Sequence, residues 1–351
     1  MADKFAPMVA SVVPVLNEEF TIVPCLESLC RQSYPGKLHQ IHIFDGGSSD
    51  ATWRVAMEYV ESRGERHPRI FLHQNLGKHV AEARNLALKV IPESVEYMLE
   101  IIGHCTIADE HISELVTKMG ELQRKTNNNV GALGCKVTAR DGKLGVQESW
   151  IEAALSSPLA SGNGQFENFT GTVETSVPAF CLHYRVALDE VDGWNNEFIT
   201  SQDSDLSMRL KYRGYQLFKT DVVTVRMAKR TSIVSWGKMG FRYGFWRTRL
   251  VKIHPRRLRL REFLPWFGLI LTIILLLSGT SYWSIPVMIY IIVLAAEGLR
   301  ISLHKRQLTS IIGLPISIIT LHMTFSIGLL YGLFGKPRSF NDRESINGKL
   351  N

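Results

Sequence analysis

Apolar and polar positions alternate in two different ways along this chain. Up to about residue 105, short apolar runs are separated by polar clusters. Beyond residue 262, the apolar runs are long and uncharged. Residues 9–14 (Val-Ala-Ser-Val-Val-Pro) predict a buried strand ended by proline. Asn17, Glu18 and Glu19 then open a helix that carries Ile22, Leu26 and Leu29 at helical spacing. Residues 40–45 read as a second strand, closed by the turn Gly46-Gly47-Ser48-Ser49-Asp50. A helix through Trp53 and Tyr59 follows, then a strand at 69–73, a helix at 81–89 and a strand at 97–102. Strands alternating with helices predict an α/β domain with a mainly parallel, Rossmann-like sheet covered on both faces. Ligands of such sheets bind beyond the carboxyl ends of the strands. The polar clusters Asn17-Glu18, Asp45 to Asp50 and His104 fall at those ends.

The second pattern predicts a membrane region. Residues 263–296 hold no charged side chain, and a bilayer core takes roughly 20 apolar residues per helix. Gly279 and Pro286 divide this run into spans at about 263–279 and 283–303, and a third run extends over 307–335, punctuated by Gly313 and Pro315. The connection holding Arg300, His304, Lys305 and Arg306 is basic, whereas that between the first two spans is uncharged. The positive-inside rule then places residues 1–261 and 300–306 in the cytoplasm. The first residues show no apolar signal core, in keeping with that expectation. Expected boundaries are a catalytic domain over 1–225, a basic amphipathic interfacial segment over 226–262, about three transmembrane helices over 263–335 and a polar tail over 336–351.

Charge sharpens this division. Lys and Arg number 40 against 33 Asp and Glu, a net +7, but eleven of the cations lie in residues 229–261, a stretch without one acid. Trp236, Phe241, Tyr243, Phe245 and Trp246 are interleaved with them, a mixture that suits a lipid headgroup layer. Ordinary juxtamembrane charge explains part of it. Attachment to a membrane span argues against nucleic acid as the partner. A mean hydropathy near zero with 21 % charged residues excludes a disordered or fibrous chain. Five scattered cysteines show neither zinc spacing nor a pairing framework, so reduced thiols are expected, with Cys25 and Cys30 packed on one helix.

Four motifs then come in order: Pro14-Val-Leu-Asn17-Glu18, Asp45-Gly-Gly-Ser-Ser-Asp50, Ala83-Arg84-Asn85 and Gln202-Asp203-Ser204-Asp205. Each is weak alone. Their order and spacing, with a basic Arg242-Tyr243-Gly244 segment and C-terminal spans, resemble the membrane-attached branch of the family 2 glycosyltransferases, over residues 8 to about 335. The resemblance implies a GT-A fold and an inverting transfer of a sugar from a nucleotide-diphosphate donor, with uridine as the base. By it, Asp203 is the base that deprotonates the acceptor hydroxyl. Pro14, Asn17, Glu18, Asp45, Gly47, Lys78, Arg84 and Asn85 serve the nucleotide sugar. The Asp45 carboxylate is suited to a pyrimidine ring N–H, and Arg84 either reaches the diphosphate or braces the site. Trp194, Asp205, Arg242, Tyr243 and Arg247 are expected on the acceptor side. Local alternatives stand beside these roles: a helix cap for Asn17-Glu18, Asp50 and Asp203, a solvated face for Lys78, core packing for Trp194 and an Asp205–Arg209 pair. The membrane half points to a lipid-linked, polyprenyl-diphosphate saccharide as acceptor, with Arg242 and Arg247 on its diphosphate. The Gln-x-x-Arg-Trp motif of processive synthases is absent from residues 235–249.

Two positions depart from the family pattern. An acid that holds a divalent ion is expected at 102, where this chain has Ile102. His104 is left as the candidate ligand, better matched to Mn²⁺ than to Mg²⁺, and Glu100 lies too far upstream on an extended strand to replace the missing acid. Gln202 stands where the family has Glu. A catalytically impaired membrane scaffold partnering an active transferase is therefore the competing reading.

Overall fold

The computed structural model describes residues 6–161, 166 and 169–335; the polar tail expected over 336–351 lies outside them. In chain order the elements are β1 (Met8–Val15), α1 (Ile22–Cys30), β2 (His39–Asp45), α2 (Thr52–Arg63), β3 (Arg69–Gln74), α3 (Val80–Val90), β4 (Val95–Glu100), β5 (Cys105–Ile107), α4 (His111–Lys125) and β6 (Val130–Ala139). There follow α5 (Val146–Leu155), α6 (Pro158–Ser161), β7 (Thr172–Glu174), β8 (Leu182–Tyr184), α7 (Arg185–Asp189), α8 (Gln202–Tyr212), β9 (Gln216–Met227), α9 (Ile233–Ile253), α10 (Leu264–Leu277), α11 (Ser284–Lys305) and α12 (Ser310–Phe334).

One sheet runs β3-β2-β1-β4-β8-β6-β9-β5, with β7 on β9. Its first four strands are parallel, in the register Val15↔Asp45 and Val12↔Glu100. The other half is mixed: β8 is antiparallel to β4 and β6, β5 and β7 are antiparallel to β9, and only β6 and β9 run parallel. The parallel sheet expected from sequence thus describes the donor-like half, where βαβ crossovers force it. Period-two alternation divides the core between the two faces. Val13, Ile43 and Leu99 pack with α1 and α4, while Val12, Phe44 and Met98 pack with α3, α7 and α8. Two boundaries differ from expectation. Residues 17–21 form a turn before α1, and β4 stops at Glu100, leaving Ile102 in the connection to β5.

The C-terminal helices do not stand apart from the domain. The basic segment is a 21-residue helix, α9, capped by Ser232, whose hydroxyl accepts from Ser235 N. It lies parallel to α12: Trp236 Nε1 donates to Ser317 O, and twelve residues on, Thr248 Oγ1 donates to Leu329 O. Glycines let the two backbones touch. A Cβ on Gly244 would lie 2.1 Å from Phe325 O, and one on Gly328 would lie 2.1 Å from Phe241 O. The segment expected to lie on lipid therefore presents one face to another helix.

Among the described residues, two helices are long and apolar enough to cross a membrane, Ser281–Lys305 and Ser310–Phe334. The first expected span is shorter than predicted. Its helix α10 has 14 residues, about 21 Å, short of the roughly 30 Å of a hydrocarbon core. Most of α10 and α11 is exposed apolar surface, including Leu277, Ile292 and Leu269, far more than a water-soluble domain leaves uncovered.

Candidate active site

Three loops meet beyond the carboxyl ends of β1, β2 and β3. Asn17, in a left-handed conformation (φ 56°), accepts from Ser49 N through Oδ1 at 2.8 Å and donates its own N–H to Ser48 Oγ at 2.9 Å. The buried Asp45 carboxylate accepts from Gly47 N at 3.2 Å, Ser48 N at 3.1 Å and the Ser48 hydroxyl at 2.5 Å. Gly47 has φ 82°, which favours glycine. Gly46 passes so close to the next loop that a Cβ there would sit 2.6 Å from Lys78 O. Lys78 is exposed on that loop, and Pro14 is buried within β1. The motif side chains shape their own loops, and Asp45 in particular closes the turn it begins. Asp50 lies one residue before the observed N-cap, Ala51, and accepts from Thr52 N and Glu19 N.

At the end of β4 the chain crosses β1 closely. A Cβ on Gly103 would meet Val15 Cγ1 at 2.9 Å. This crossing sets His104 Nδ1 2.6 Å from Glu18 Oε1, while Glu18 Oε2 accepts from the Thr21 hydroxyl at 2.7 Å. Ile102 packs against the apolar core and supplies no ligand atom. Glu18 and His104, one carboxylate and one imidazole side by side, make a donor set suited to Mn²⁺. A second group, Glu100, Cys181 and His183, has its ligand atoms within 4.8 Å of one another, but a guanidinium already fills its cationic role.

That guanidinium belongs to Arg84, in the second turn of α3. It reaches Glu100 Oε1 at 3.3 Å and Asp203 Oδ1 at 2.5 Å. His183 Nε2 lies 3.0 Å from Glu100 Oε1 on its other side. Trp194 is buried over this cluster, with Arg84 at 5.5 Å from its ring and His183 edge-on at 5.6 Å. Burial opposes ionisation of Glu100, but Arg84 and His183 outweigh it and hold the carboxyl below the usual carboxylate range. Asp203 differs. Desolvation, helped by the charge of Glu100, pushes its carboxyl up against the pull of Arg84. Its side chain still keeps 42 % of its surface exposed, and it sits in the first turn of α8, after a Ser201 held at φ 69°.

Several residues expected to contact ligand make internal contacts. Asn85 clamps the loop of residues 194–196: Oδ1 accepts from Trp194 N at 2.8 Å, and Nδ2 donates to Trp194 O at 2.7 Å and to Asn196 Oδ1 at 2.8 Å. Arg84 braces the carboxylates. Asp205 is 1 % exposed and has both oxygens engaged, by Arg209 Nε and His254 Nε2, each at 2.8 Å. Arg247 Nε is 3.0 Å from Glu262 and so does not stand open to a diphosphate. Trp194 fills the core, Arg242 lies half-buried on α9, and Tyr243 is 42 % exposed there. Sequence reasoning missed Glu100 and His183 as neighbours of the Arg84–Asp203 pair. The one available signal was a lone acid in the otherwise apolar strand 97–102.

These features define a GT-A-type fold: parallel strands leading to a loop-built cleft, then a mixed half that carries an acid at a helix start. The Pyrobaculum calidifontis mannosyltransferase PcManGT, solved with GDP-Man and Mn²⁺, shares this fold. Its TM-score is 0.62 at 15 % identity, over 95 % of this chain and 89 % of that one. Residues 11–127 match the family model described as Glycosyl transferase family 2, and that match together with the relatives supports a glycosyltransferase. It is similar to the Methanococcus voltae dolichyl N-acetyl-alpha-D-glucosaminyl phosphate 3-beta-D-2,3-diacetamido-2,3-dideoxy-beta-D-glucuronosyltransferase, 20 % identical over 95 % of this chain and 99 % of that protein. It is also similar to the succinoglycan biosynthesis protein ExoA of Rhizobium meliloti, 26 % identical over 72 % of this chain and 73 % of ExoA.

Proposed function

We propose that this chain is a membrane-bound, inverting glycosyltransferase. It moves a sugar from a nucleotide-diphosphate donor to a lipid-linked saccharide during surface-glycan synthesis. The observation that carries this reading is the Arg84–Asp203 pair backed by Glu100 and His183. Arg84 engages Oδ1 and fixes the carboxylate, whose exposed remainder takes the acceptor proton as the hydroxyl oxygen attacks the anomeric carbon. The leaving diphosphate departs from the opposite face in a single displacement. Glu18 and His104 would hold a Mn²⁺ ion, which, when bound, neutralises charge on that diphosphate. The loops of Asn17, Asp45, Gly47 and Lys78 would receive a UDP-linked donor, mainly through backbone groups.

Residues 1–225 form the catalytic domain in this proposal, on the cytoplasmic side with α11 and α12 in the bilayer. Supporting this, the C-terminal part of α11, next to the basic connection, packs on the domain: the Ser157 hydroxyl donates to Glu297 at 2.6 Å, and Lys305 Nζ lies 3.5 Å from Glu152 O. Thermal shift of the detergent-purified protein tests the reading, using UDP, GDP and sugar nucleotides, each with Mn²⁺, Mg²⁺ or EDTA, alongside Ile102→Asp. Metal-dependent stabilisation by one nucleotide is expected. A shift confined to Ile102→Asp would say the natural site lacks its ligand, and no shift in either protein would favour the scaffold.

A further inference from the structure

A cavity of about 620 Å³ lies outside the catalytic cleft, between β6, α5, the segment after β9 and the connection from α11 to α12. Its wall is of two kinds. Lys136, Lys229, Lys305 and His304 supply cationic or protonatable groups, while Val137, Leu144, Leu155 and Phe166 supply apolar surface. Among the described residues, Glu152 is the only acid in the lining. It is shared: its Oε2 is 2.7 Å from Lys229 Nζ, and its backbone oxygen is 3.5 Å from Lys305 Nζ. Lys229 is almost fully buried, with its ammonium 5.0 Å from the Phe166 ring centre. Burial pulls its pKa below the ordinary lysine value despite Glu152, so an added anion would relieve a real desolvation cost. The start of α12, a 25-residue helix with Thr309 as its N-cap, borders the same space and adds its positive end.

The position matters as much as the charge. Two candidate membrane helices end or begin here, so an isoprenoid chain in the bilayer leads to this cavity. The catalytic cleft is close along the chain: Ala228 N donates to His104 O at 3.1 Å, and Lys229 is the next residue. The basic residues singled out on α9 are less suitable, because Arg247 is held by Glu262.

We propose that this cavity binds the phosphate or diphosphate of an isoprenoid-linked acceptor, with Lys229 and Lys305 on the phosphate and Leu144, Leu155 and Phe166 against the first isoprene units. The inference rests on the lipid-linked acceptor of the proposed function, and it moves the phosphate from α9 to this junction. A phospholipid headgroup offers the same phosphate chemistry, so the test separates the two sources.

The test is direct binding, with no sugar transfer in the readout. The full chain in neutral detergent is titrated with farnesyl phosphate, with phosphatidylglycerol micelles and with inorganic phosphate, and nucleotide-induced stabilisation is measured in parallel. Farnesyl phosphate is expected to bind saturably. Lys305→Gln is expected to weaken it about tenfold, the loss of one charged hydrogen bond, and Leu144→Trp to weaken it by narrowing the cavity. Nucleotide stabilisation should persist in both variants, which shows that they are folded. Lys229→Gln is a second charge variant, read only through the same nucleotide control because it leaves Glu152 buried. Equal binding of phosphatidylglycerol, binding by inorganic phosphate alone, or farnesyl phosphate binding untouched by Lys305→Gln and Leu144→Trp would each overturn the assignment. Loss of nucleotide stabilisation in the unaltered protein would instead count against the glycosyltransferase cleft, whatever farnesyl phosphate does.

Discussion

The two halves of the sheet use their polar side chains differently. In the parallel half, Asp45, Ser48, Asn17, Ser49, Asp50 and Thr52 bond to one another across two adjacent loops, at most about 35 residues apart. In the mixed half, the decisive contacts join distant segments. Arg84 reaches Asp203 across 119 residues, Asn85 holds Trp194 across 109, and Asp205 meets His254 across 49. That last contact continues outward, since α9 is sealed along α12. The donor-like half is thus a set of self-shaped loops, whereas the acceptor-like half is a chain of couplings running from Asp203 to the apolar C-terminal helices.

Replacing Asp203, the base of the proposed function, breaks the comparison at its most sensitive point. Asp203→Asn keeps the shape and an acceptor for Arg84 but cannot take a proton, so kcat should fall by about 10³, within the range seen for lost general bases. Nucleotide stabilisation in thermal shift should stay unchanged, because the donor-like loops owe nothing to Asp203. A residual rate within tenfold of the parent would remove Asp203 from the proposed role.

The membrane end of the same chain comes next. Gly328→Val places a side chain where Phe241 O already lies, 2.1 Å from the Cβ position. Backbone oxygens cannot move aside as side chains do, so α9 and α12 must separate, at a cost of about 3 kcal/mol. The expected result is a markedly lower unfolding temperature of the purified protein. An equally bulky change at Gly268, where a Cβ meets nothing within 4 Å, should be nearly silent.

This contrast also explains what the sequence disclosed. Strand and helix order over residues 8–100 was legible because hydrophobic periodicity is local, and the motif loops were legible because their partners lie inside the same motifs. The mixed strands β5 to β8 were not, being short pieces paired by distant chain. Ile102 packs against the apolar core. Glu100 was discounted on strand geometry, since its partners Arg84 and His183 come from α3 and β8, and no spacing rule joins them. Counting uncharged residues suggests three spans, whereas a bilayer is crossed by continuous helix length, and α10 ends at Leu277.

Asn85 offers a smaller, sharper test, because motif and structure assign it to opposite halves. Its three hydrogen bonds all go to residues 194 and 196. Asn85→Ala should therefore loosen the acceptor loop and lower kcat/KM for acceptor about tenfold, roughly the worth of one or two net hydrogen bonds. KM for the nucleotide sugar should stay within about twofold. A selective rise in donor KM would return Asn85 to the nucleotide and weaken the division between the halves.

The subtlest effect is electrostatic. In the proposed function turnover requires Asp203 ionised, so the acid limb of kcat/KM against pH should follow its carboxyl, which desolvation and the charge of Glu100 hold above the ordinary aspartate value. Glu100→Gln removes one of the upward pushes and frees Arg84 to pair with Asp203 alone, so the acid limb should move to lower pH. The plateau should fall slightly, because a less basic carboxylate is a weaker proton acceptor. Stability should respond in a related sense. The Glu100 carboxyl is depressed, so its ionised form stabilises the fold above the ordinary glutamate value, and that contribution is lost as pH falls through the depressed one. The Gln variant should therefore lack that acid-side loss while unfolding more easily at neutral pH. Parallel pH–rate profiles of the two proteins decide the matter: a limb that stays put or rises would mean Glu100 does not act on the base through its charge, leaving it a packing partner of Arg84 and His183.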